Sequence, residues 1–243
     1  MSTLIAAVAG LLVMGGYMVE AQPLTYPLTY DIHYVLPEAA GTGGVDIGFL
    51  TPDIDKIDEF GDIDIMAKYA LADWFEVGAR ATLGVLRDDA KALSSITLGA
   101  KYSLGSRTAA TANLSAKRET DNYGISAGLM HSMLVGDIGV NSHILFGFLD
   151  GYTPNGTLID VMIQPVLPLS DRVFAYLDIL LTSDSQELVD RSSVILVPNL
   201  DYEIIPGLML NGGIRFSIHS GDDIRHDTKV GVILSLLMST PLR

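Results

Sequence analysis

Apolar and polar residues alternate in short runs from about residue 44 to the C-terminus, and alternately longer and shorter breaks separate the runs. Between Gly61 and Leu71, every second residue is apolar, and most residues between them are polar or charged. The run from Phe75 to Val85 repeats this order. Successive side chains of a β-strand point to opposite faces, so each run predicts a strand with one apolar and one polar face.

The alternation predicts an all-β fold, an antiparallel transmembrane β-barrel of about 12 strands within a range of 10–14. Most runs have about the nine to eleven residues that a tilted membrane strand needs. Short breaks alternate with longer ones, as in outer-membrane barrels with short periplasmic turns, and this places both termini in the periplasm. The predicted strands lie near 44–50, 61–71, 74–86, 94–104, 107–118, 123–134, 138–149, 158–167, 172–182, 193–204, 208–219 and 227–239.

The composition excludes several classes of fold and function. Hydrophobic residues make up 49% of the chain, yet no stretch after the N-terminus has the roughly 18 uncharged apolar residues of a membrane helix. The chain has no cysteine, which excludes disulfides, a thiol nucleophile and a cysteine-ligated metal. The formal net charge of -14 argues against a nucleic-acid partner, because binding phosphates needs a basic surface.

Three regions are expected along the chain. Residues 1–21 are predicted to be a signal peptide, with an apolar core and a small-residue cleavage site at Val19-Glu20-Ala21; the alternative is an uncleaved anchor helix. Residues 22–43 are a lead-in or plug, although the alternation from Leu28 to Leu36 also fits a further strand. Residues 44–243 form the barrel.

The polar faces carry many glycines, which weaken the exposed strands of a soluble sandwich and therefore favour a barrel. A soluble β-sandwich remains the alternative for the alternating pattern. Small inward residues are expected to leave room for water or a ligand. Aromatic residues concentrate toward strand ends, as interfacial girdles require. They are Phe75, Tyr102, Tyr123, Phe148, Tyr202 and Phe216.

Charged residues on the polar faces are the candidate functional groups. Basic residues fall on the third to fifth predicted strands and acidic ones on the eighth to tenth. On opposite walls they would set up a transverse field that orients a solute; alternatively, they pair with neighbours and fill the interior. The predicted lumen-lining residues are Arg80, Lys101, Lys117, Asp160, Asp178, Asp201, Glu203 and Arg215.

Catalytic and metal-binding patterns are weak. Alternation points Ser142 away from His143, so a lipid-facing esterase is not expected. Residues 53–58 lack the glycine and the terminal glutamate of a calcium loop. We therefore expect no enzymatic activity, no cofactor and no metal centre. Acidic residues in the longer links could meet cations or protein partners, or could simply be solvated.

Three stretches resemble a known family: GDIDIMAKY at 61–69, WFEVGAR at 74–80 and ITLGAKYSL at 96–104. They are similar to strands of the meta-pathway phenol-degradation family of transporter-like outer-membrane barrels. The resemblance implies envelope localisation and uptake of small, often hydrophobic compounds. The C-terminus departs from many such barrels because it lacks a terminal aromatic residue. Since Pro241 cannot donate a ladder hydrogen bond, the last strand is expected to stop near Met238 or Ser239.

The sequence thus predicts a bacterial outer-membrane channel or transporter that passes small solutes, hydrophobic or aromatic compounds among them, through a narrow charged lumen. The alternative is a structural or adhesive barrel with a closed lumen and acidic loops that bind partners. The expected partners are the bilayer with its anionic outer-leaflet lipid and a small-molecule solute. No nucleic acid is expected, and the barrel is expected to be a monomer.

Overall fold

The computed structural model describes residues 37–51, 61–84, 93–117, 122–149, 157–184, 192–220 and 229–241. Each predicted strand is confirmed, with ends shifted by a few residues. Within these ranges no helix is long and apolar enough to cross a membrane. The strands are β1 Thr42–Thr51, β2 Asp62–Ala72, β3 Phe75–Leu83, β4 Ser95–Ser103, β5 Thr108–Lys117, β6 Asn122–Val135, β7 Ile138–Leu149, β8 Thr157–Ser170, β9 Val173–Asp184, β10 Ser192–Ile205, β11 Leu208–Ser220 and β12 Lys229–Pro241.

The strands form one closed antiparallel barrel. Each strand pairs with its sequence neighbours, and β1 pairs with β12 to close the ring. The closing register runs from Thr42 opposite Pro241 to Thr51 opposite Val232. Closure leaves no sheet edge, which a barrel in lipid requires because an unpaired backbone group cannot hydrogen-bond to water there. The expected fold class is confirmed.

The polar faces of the strands point into the barrel and the apolar faces point out. In β2, Asp62, Asp64 and Lys68 are buried, whereas Ile65 and Leu71, which occupy the alternate positions, are exposed. The same alternation holds around the ring, with exposed leucine, isoleucine and phenylalanine on the outside. An exterior of this kind has a stable environment only in a bilayer, so the barrel spans a membrane.

Aromatic side chains lie near both ends of the outer surface. Trp74 stacks edge-on against Tyr102, with ring centroids 5.4 Å apart, beside one set of short turns. Tyr123 and Phe148 are exposed at the opposite ends of their strands. Amphipathic rings favour head-group depth, so the two groups mark the two membrane interfaces.

Short turns join β2 to β3, β6 to β7, β8 to β9 and β10 to β11 at the end of the barrel that holds Thr42 and Pro241. In outer-membrane barrels this end faces the periplasm. The turn at Pro206 and Gly207 shows the local chemistry: Gly207 has a φ of 82°, which favours glycine. A Cβ there would also lie 2.3 Å from the Ser239 carbonyl oxygen.

Prolines interrupt the backbone ladder at defined places. The β8–β9 register skips Gln164 and Pro165, and the β10–β11 register skips Val197 and Pro198. These skips follow from the missing N–H of proline. The expected end of β12 near Met238 or Ser239 was wrong, because β12 continues to Pro241. Pro241 lies at the last pair of the ladder, where a missing donor interrupts nothing further.

Replacing Leu129 with arginine should destabilise the barrel by about 2–4 kcal/mol, because Leu129 lies mid-strand on the outer face of β6 and a cation at the bilayer midplane is costly. The matched control is Val135→Arg on the same face of the same strand, beside the turn, which should cost about 0–1 kcal/mol. Urea unfolding in lipid vesicles measures both. Equal costs would contradict the orientation of this face toward lipid.

Candidate functional site

One side of the lumen, formed by β2, β3 and β4, carries three ion pairs that we call the ion-pair wall. Arg80 donates to Asp64, which also accepts a hydrogen bond from Thr82 at 2.6 Å. Lys101 and Glu76 lie 3.6 Å apart, and neither side chain is exposed. Buried charges are stable only when paired, so these contacts hold the interior of this wall together.

The third ion pair brings the segment before β1 into the lumen. Glu38 accepts from Lys68 Nζ at 2.8 Å and from Ser239 Oγ at 3.0 Å. The backbone N–H of Glu38 donates to Glu76 Oε2 at 3.2 Å, which links this pair to the next one. Residue 40 is fixed as well, because its N–H donates to Asp73 Oδ1 at 2.8 Å. The described end of the lead-in is therefore fastened at the periplasmic mouth.

The opposite side of the ring, from β7 to β11, carries a different chemistry that we call the amide–carboxylate wall. Asn141 donates to Gln164 Oε1 at 2.8 Å, and Gln164 donates to Asp178 Oδ1 at 2.8 Å. Asn199 donates to Asp178 Oδ2 at 2.9 Å. Both oxygens of Asp178 thus accept from neutral amides on neighbouring strands.

A second group on this wall surrounds Asp201. Tyr176 donates to Asp201 Oδ1 at 3.3 Å, and Asn211 donates to the same oxygen at 2.8 Å. Asn211 also donates to the Tyr176 hydroxyl oxygen at 2.6 Å. Toward the outer end, Asp160 accepts from Thr182 at 3.2 Å. Neutral donors therefore recur as carboxylate partners along this wall.

Long inward side chains lie along the barrel wall, across glycines of adjacent strands. A Cβ on Gly44 would lie 2.9 Å from Lys68 Cε, and one on Gly213 would lie 2.0 Å from Asn199 Oδ1. Small inward residues were expected to leave room for water or a ligand. At these positions the expectation was wrong, because the neighbouring side chain fills the space. The glycines instead let polar side chains lie flat against the wall.

The structure places seven of the eight predicted lumen residues on the inward face; the side chain of Lys117 lies outside the described residues. Arg80 and Lys101 belong to the ion-pair wall, and Asp178 and Asp201 to the amide–carboxylate wall. Buried Arg215 donates to Ser217 Oγ at 3.1 Å on β11. Asp160 lies toward the outer end of β8 and Glu203 toward the periplasmic end of β10. Their role as solute-orienting groups stays a prediction.

Sequence reasoning missed the partners of these residues. Glu76 lies directly opposite Lys101 on the neighbouring strand. Asp64 lies on the same face as Met66, two residues along the strand, and Met66 is the residue opposite Arg80. The sequence signal for these ion pairs is the presence of opposite charges on the polar faces of neighbouring strands. That signal identifies the partners only when the register between the strands is known. Arg80 and Lys101 thus pair with carboxylates of their own wall, and the expected transverse field stays a prediction.

Solved structures of outer-membrane proteins share this fold. A KdgM porin in complex with disordered oligogalacturonate matches with a TM-score of 0.59 at 9% identity, over 81% of this chain and 99% of that chain. An outer membrane channel from Pseudomonas putida F1 matches with a TM-score of 0.59 at 10% identity, over 86% and 99%. NanC porin matches with a TM-score of 0.54 at 7% identity, over 82% and 98%.

No family model matches the chain. No curated protein shows significant similarity to it either. Membership of the meta-pathway phenol-degradation family is therefore not confirmed. The closed twelve-strand barrel, its apolar exterior and the fold shared with outer-membrane porins and channels place the protein in the bacterial outer membrane.

Replacing Gly213 with alanine should destabilise the barrel by about 1–3 kcal/mol through overpacking. The new Cβ would displace Asn199, which donates to Asp178 at 2.9 Å and to the Val197 carbonyl at 2.8 Å. The matched control is Gly212→Ala, whose Cβ meets only Leu234 Cδ1, at 3.9 Å. Urea unfolding of both variants measures the difference. Equal stability would show that Asn199 does not lie over Gly213.

Proposed function

We propose that the protein is an outer-membrane channel for the passive passage of small polar solutes. The observation that carries the proposal is the polar inward face, which continues around a closed ring whose exterior is apolar. A barrel of twelve strands lies between small barrels filled by side chains and large open porins, so its pore is narrow. The fold shared with porins and channels supports the same function.

The solute is polar in this proposal. Hydrophobic or aromatic compounds, which the family resemblance implied, are the weaker candidates because the described inner wall offers mostly carboxylates, amides and hydroxyls. The binding partner that the amide–carboxylate wall fits is a solute with hydrogen-bond donors, since Asp160, Asp178 and Asp201 supply acceptors.

The proposal also covers the oligomeric state, the partners and the N-terminal segments of the protein. The barrel acts as a monomer in a bilayer with anionic outer-leaflet lipid, and it binds no nucleic acid. Residues 1–21 act as its signal peptide; they lie outside the described residues. The lead-in narrows the periplasmic mouth, which the contacts of Glu38 with Lys68 and Ser239 support.

Enzymatic activity is not part of the proposal. A hydroxyl and an imidazole do meet on the outer face, where Thr108 Oγ1 lies 2.9 Å from His131 Nδ1. Within the described residues no carboxylate orients the His131 ring, as a general base of a catalytic triad requires. His143, on the inward face, lies 3.9 Å from Asp160, but within the described residues neither ring nitrogen of His143 has a hydrogen-bond partner, so no hydroxyl nucleophile contacts the ring.

A closed structural or adhesive barrel is the second candidate, and the burial of the inward side chains favours it. Lys101, Glu76 and Leu145 have no exposed surface, although all three point into the barrel. In a channel, the same burial can result from side chains that lie along the wall. The Lys68 side chain lies over Gly44 in this way. Conductance separates the two candidates.

The test is planar-bilayer recording of refolded protein that lacks residues 1–21, with Glu38→Gln as a variant. Discrete current steps are expected, and Glu38→Gln should give larger or more frequent steps because it weakens the contact with Lys68. Heat-modifiable migration on a gel confirms that both proteins are folded barrels. A folded barrel that passes no current would overturn the channel and leave the closed structural barrel.

A further inference from the structure

We propose that Met130, His143 and Met162 form a binding site for a soft monovalent metal ion, Cu(I), on the inner wall of the barrel. The three residues lie near the middle of three consecutive strands, β6, β7 and β8. Together they can supply two thioether sulfurs and one imidazole nitrogen. The proposal goes beyond the passage of solutes, and binding at this site does not require that the channel conducts.

The register of the sheet places the three side chains in one row. Met130 lies directly opposite His143, and His143 lies directly opposite Met162. Directly opposite residues of antiparallel strands have Cβ atoms about 4.5–5.5 Å apart, so each methionine is a neighbour of the imidazole. All three side chains point inward, because they are between 2% and 4% exposed, whereas the adjacent Leu129 and Ile144 are exposed on the outside.

The imidazole of His143 is buried without a hydrogen bond. Neither Nδ1 nor Nε2 has a hydrogen-bond partner within the described residues. Buried polar groups in proteins are nearly always hydrogen-bonded, so an unpaired imidazole in the middle of the wall needs an explanation. Neutral imidazole is the commonest side-chain ligand of metal ions in proteins. A bound ion would therefore give one of these nitrogens a partner.

Polar side chains around His143 form hydrogen bonds with other residues. Asn141, the preceding inward residue of β7, donates to Gln164 Oε1 at 2.8 Å. Gln164 in turn donates to a carboxylate of β9. Asp160 accepts from Thr182 through Oδ1 at 3.2 Å. These bonds fix the surroundings of His143 and leave its imidazole to a ligand.

Asp160 is placed to orient the ring of His143. Its Oδ2 lies 3.9 Å from His143 Nε2, which is longer than a hydrogen bond but close enough for a small rotation to form one. Histidine ligands of metal ions generally donate their other ring N–H to a carboxylate, a carbonyl or water. Nε2–H would thus donate to Asp160, and Nδ1 would bind the ion.

The set of donor atoms selects for a soft ion. Thioethers suit Cu(I), and imidazole suits copper as well, whereas Mg²⁺ and Ca²⁺ take oxygen ligands. Within the described residues no group of three or more histidine, cysteine, aspartate or glutamate side chains is placed to hold a metal ion. Methionine has three rotatable bonds and a polarisable sulfur, so both thioethers can turn toward an ion that arrives from the lumen.

The sequence patterns predicted no metal centre, and the reason is the register. Met130, His143 and Met162 are remote from one another along the chain, so no short motif contains them. Only the pairing of β6 with β7 and of β7 with β8 places a thioether on each side of the imidazole.

The experiment uses silver nitrate as the probe, because Ag(I) is a soft monovalent ion that needs no reductant, and zinc nitrate as the harder control ion. Refolded barrel that lacks residues 1–21 is titrated in detergent and chloride-free buffer, and its isotope-labelled methionine methyl groups are observed by NMR. The site variants are Met130→Leu, Met162→Leu and His143→Leu. Exchange of methionine for leucine conserves volume, so the first two variants should fold even if the third does not.

Met66→Leu is the matched control variant. Met66 is also buried and inward, but the residues opposite it are an aspartate and an arginine. Loss of its thioether should therefore leave the binding of Ag(I) unchanged. Heat-modifiable migration on a gel confirms that each variant is a folded barrel.

One Ag(I) per barrel should shift the methyl signals of Met130 and Met162 together and leave that of Met66 in place, and Zn(II) should shift none of them. Each site variant should lose affinity at least tenfold. Unshifted Met130 and Met162 signals, equal shifts of every methionine, or unchanged affinity in folded His143→Leu would overturn the site. The paired shift in a barrel that passes no current would support the site and overturn only the channel.

Discussion

Closure of the ring by β1 and β12 is the constraint on which the rest of the structure depends. In a bilayer each backbone N–H and C=O must find its partner within the protein, and an open edge would leave a whole strand unpaired. The two strands meet over ten residue pairs. Their close approach needs small residues, since a Cβ on Gly48 would lie 2.9 Å from Ser235 Cβ.

Closure also decides what the interior can contain. Inward side chains share a narrow space, so each charge needs a partner nearby. The two walls meet this requirement differently: the ion-pair wall sets arginine and lysine against carboxylates, and the amide–carboxylate wall sets carboxylates against amides and hydroxyls. The first arrangement pairs charges of opposite sign, and the second places neutral donors beside carboxylates. The asymmetry of the lumen follows from this difference.

Much of the fold could be predicted from the sequence because a period of two, repeated strand after strand, specifies faces and turns locally. The strand from Ile138 to Leu149 has the predicted bounds. The partners of Arg80 and Lys101 could not be predicted, because an ion pair across strands depends on the register, which closure of the whole ring sets. The contact between Asn199 and Gly213 could not be predicted either, because it also depends on the register. The predicted end of β12 was wrong because Pro241 lies at the last pair of the ladder, where its missing N–H interrupts no further hydrogen bond.

We propose that the inward face borders a water-filled path through the membrane. The chain has no cysteine, so single cysteines at Tyr176, Leu177 and Asp178 can be tested in proteoliposomes with a charged, membrane-impermeant thiol reagent. We expect rapid labelling at the inward positions Tyr176 and Asp178 and slow labelling at the outward Leu177. Labelling at Leu177 alone, or at none of the three in folded protein, would contradict it.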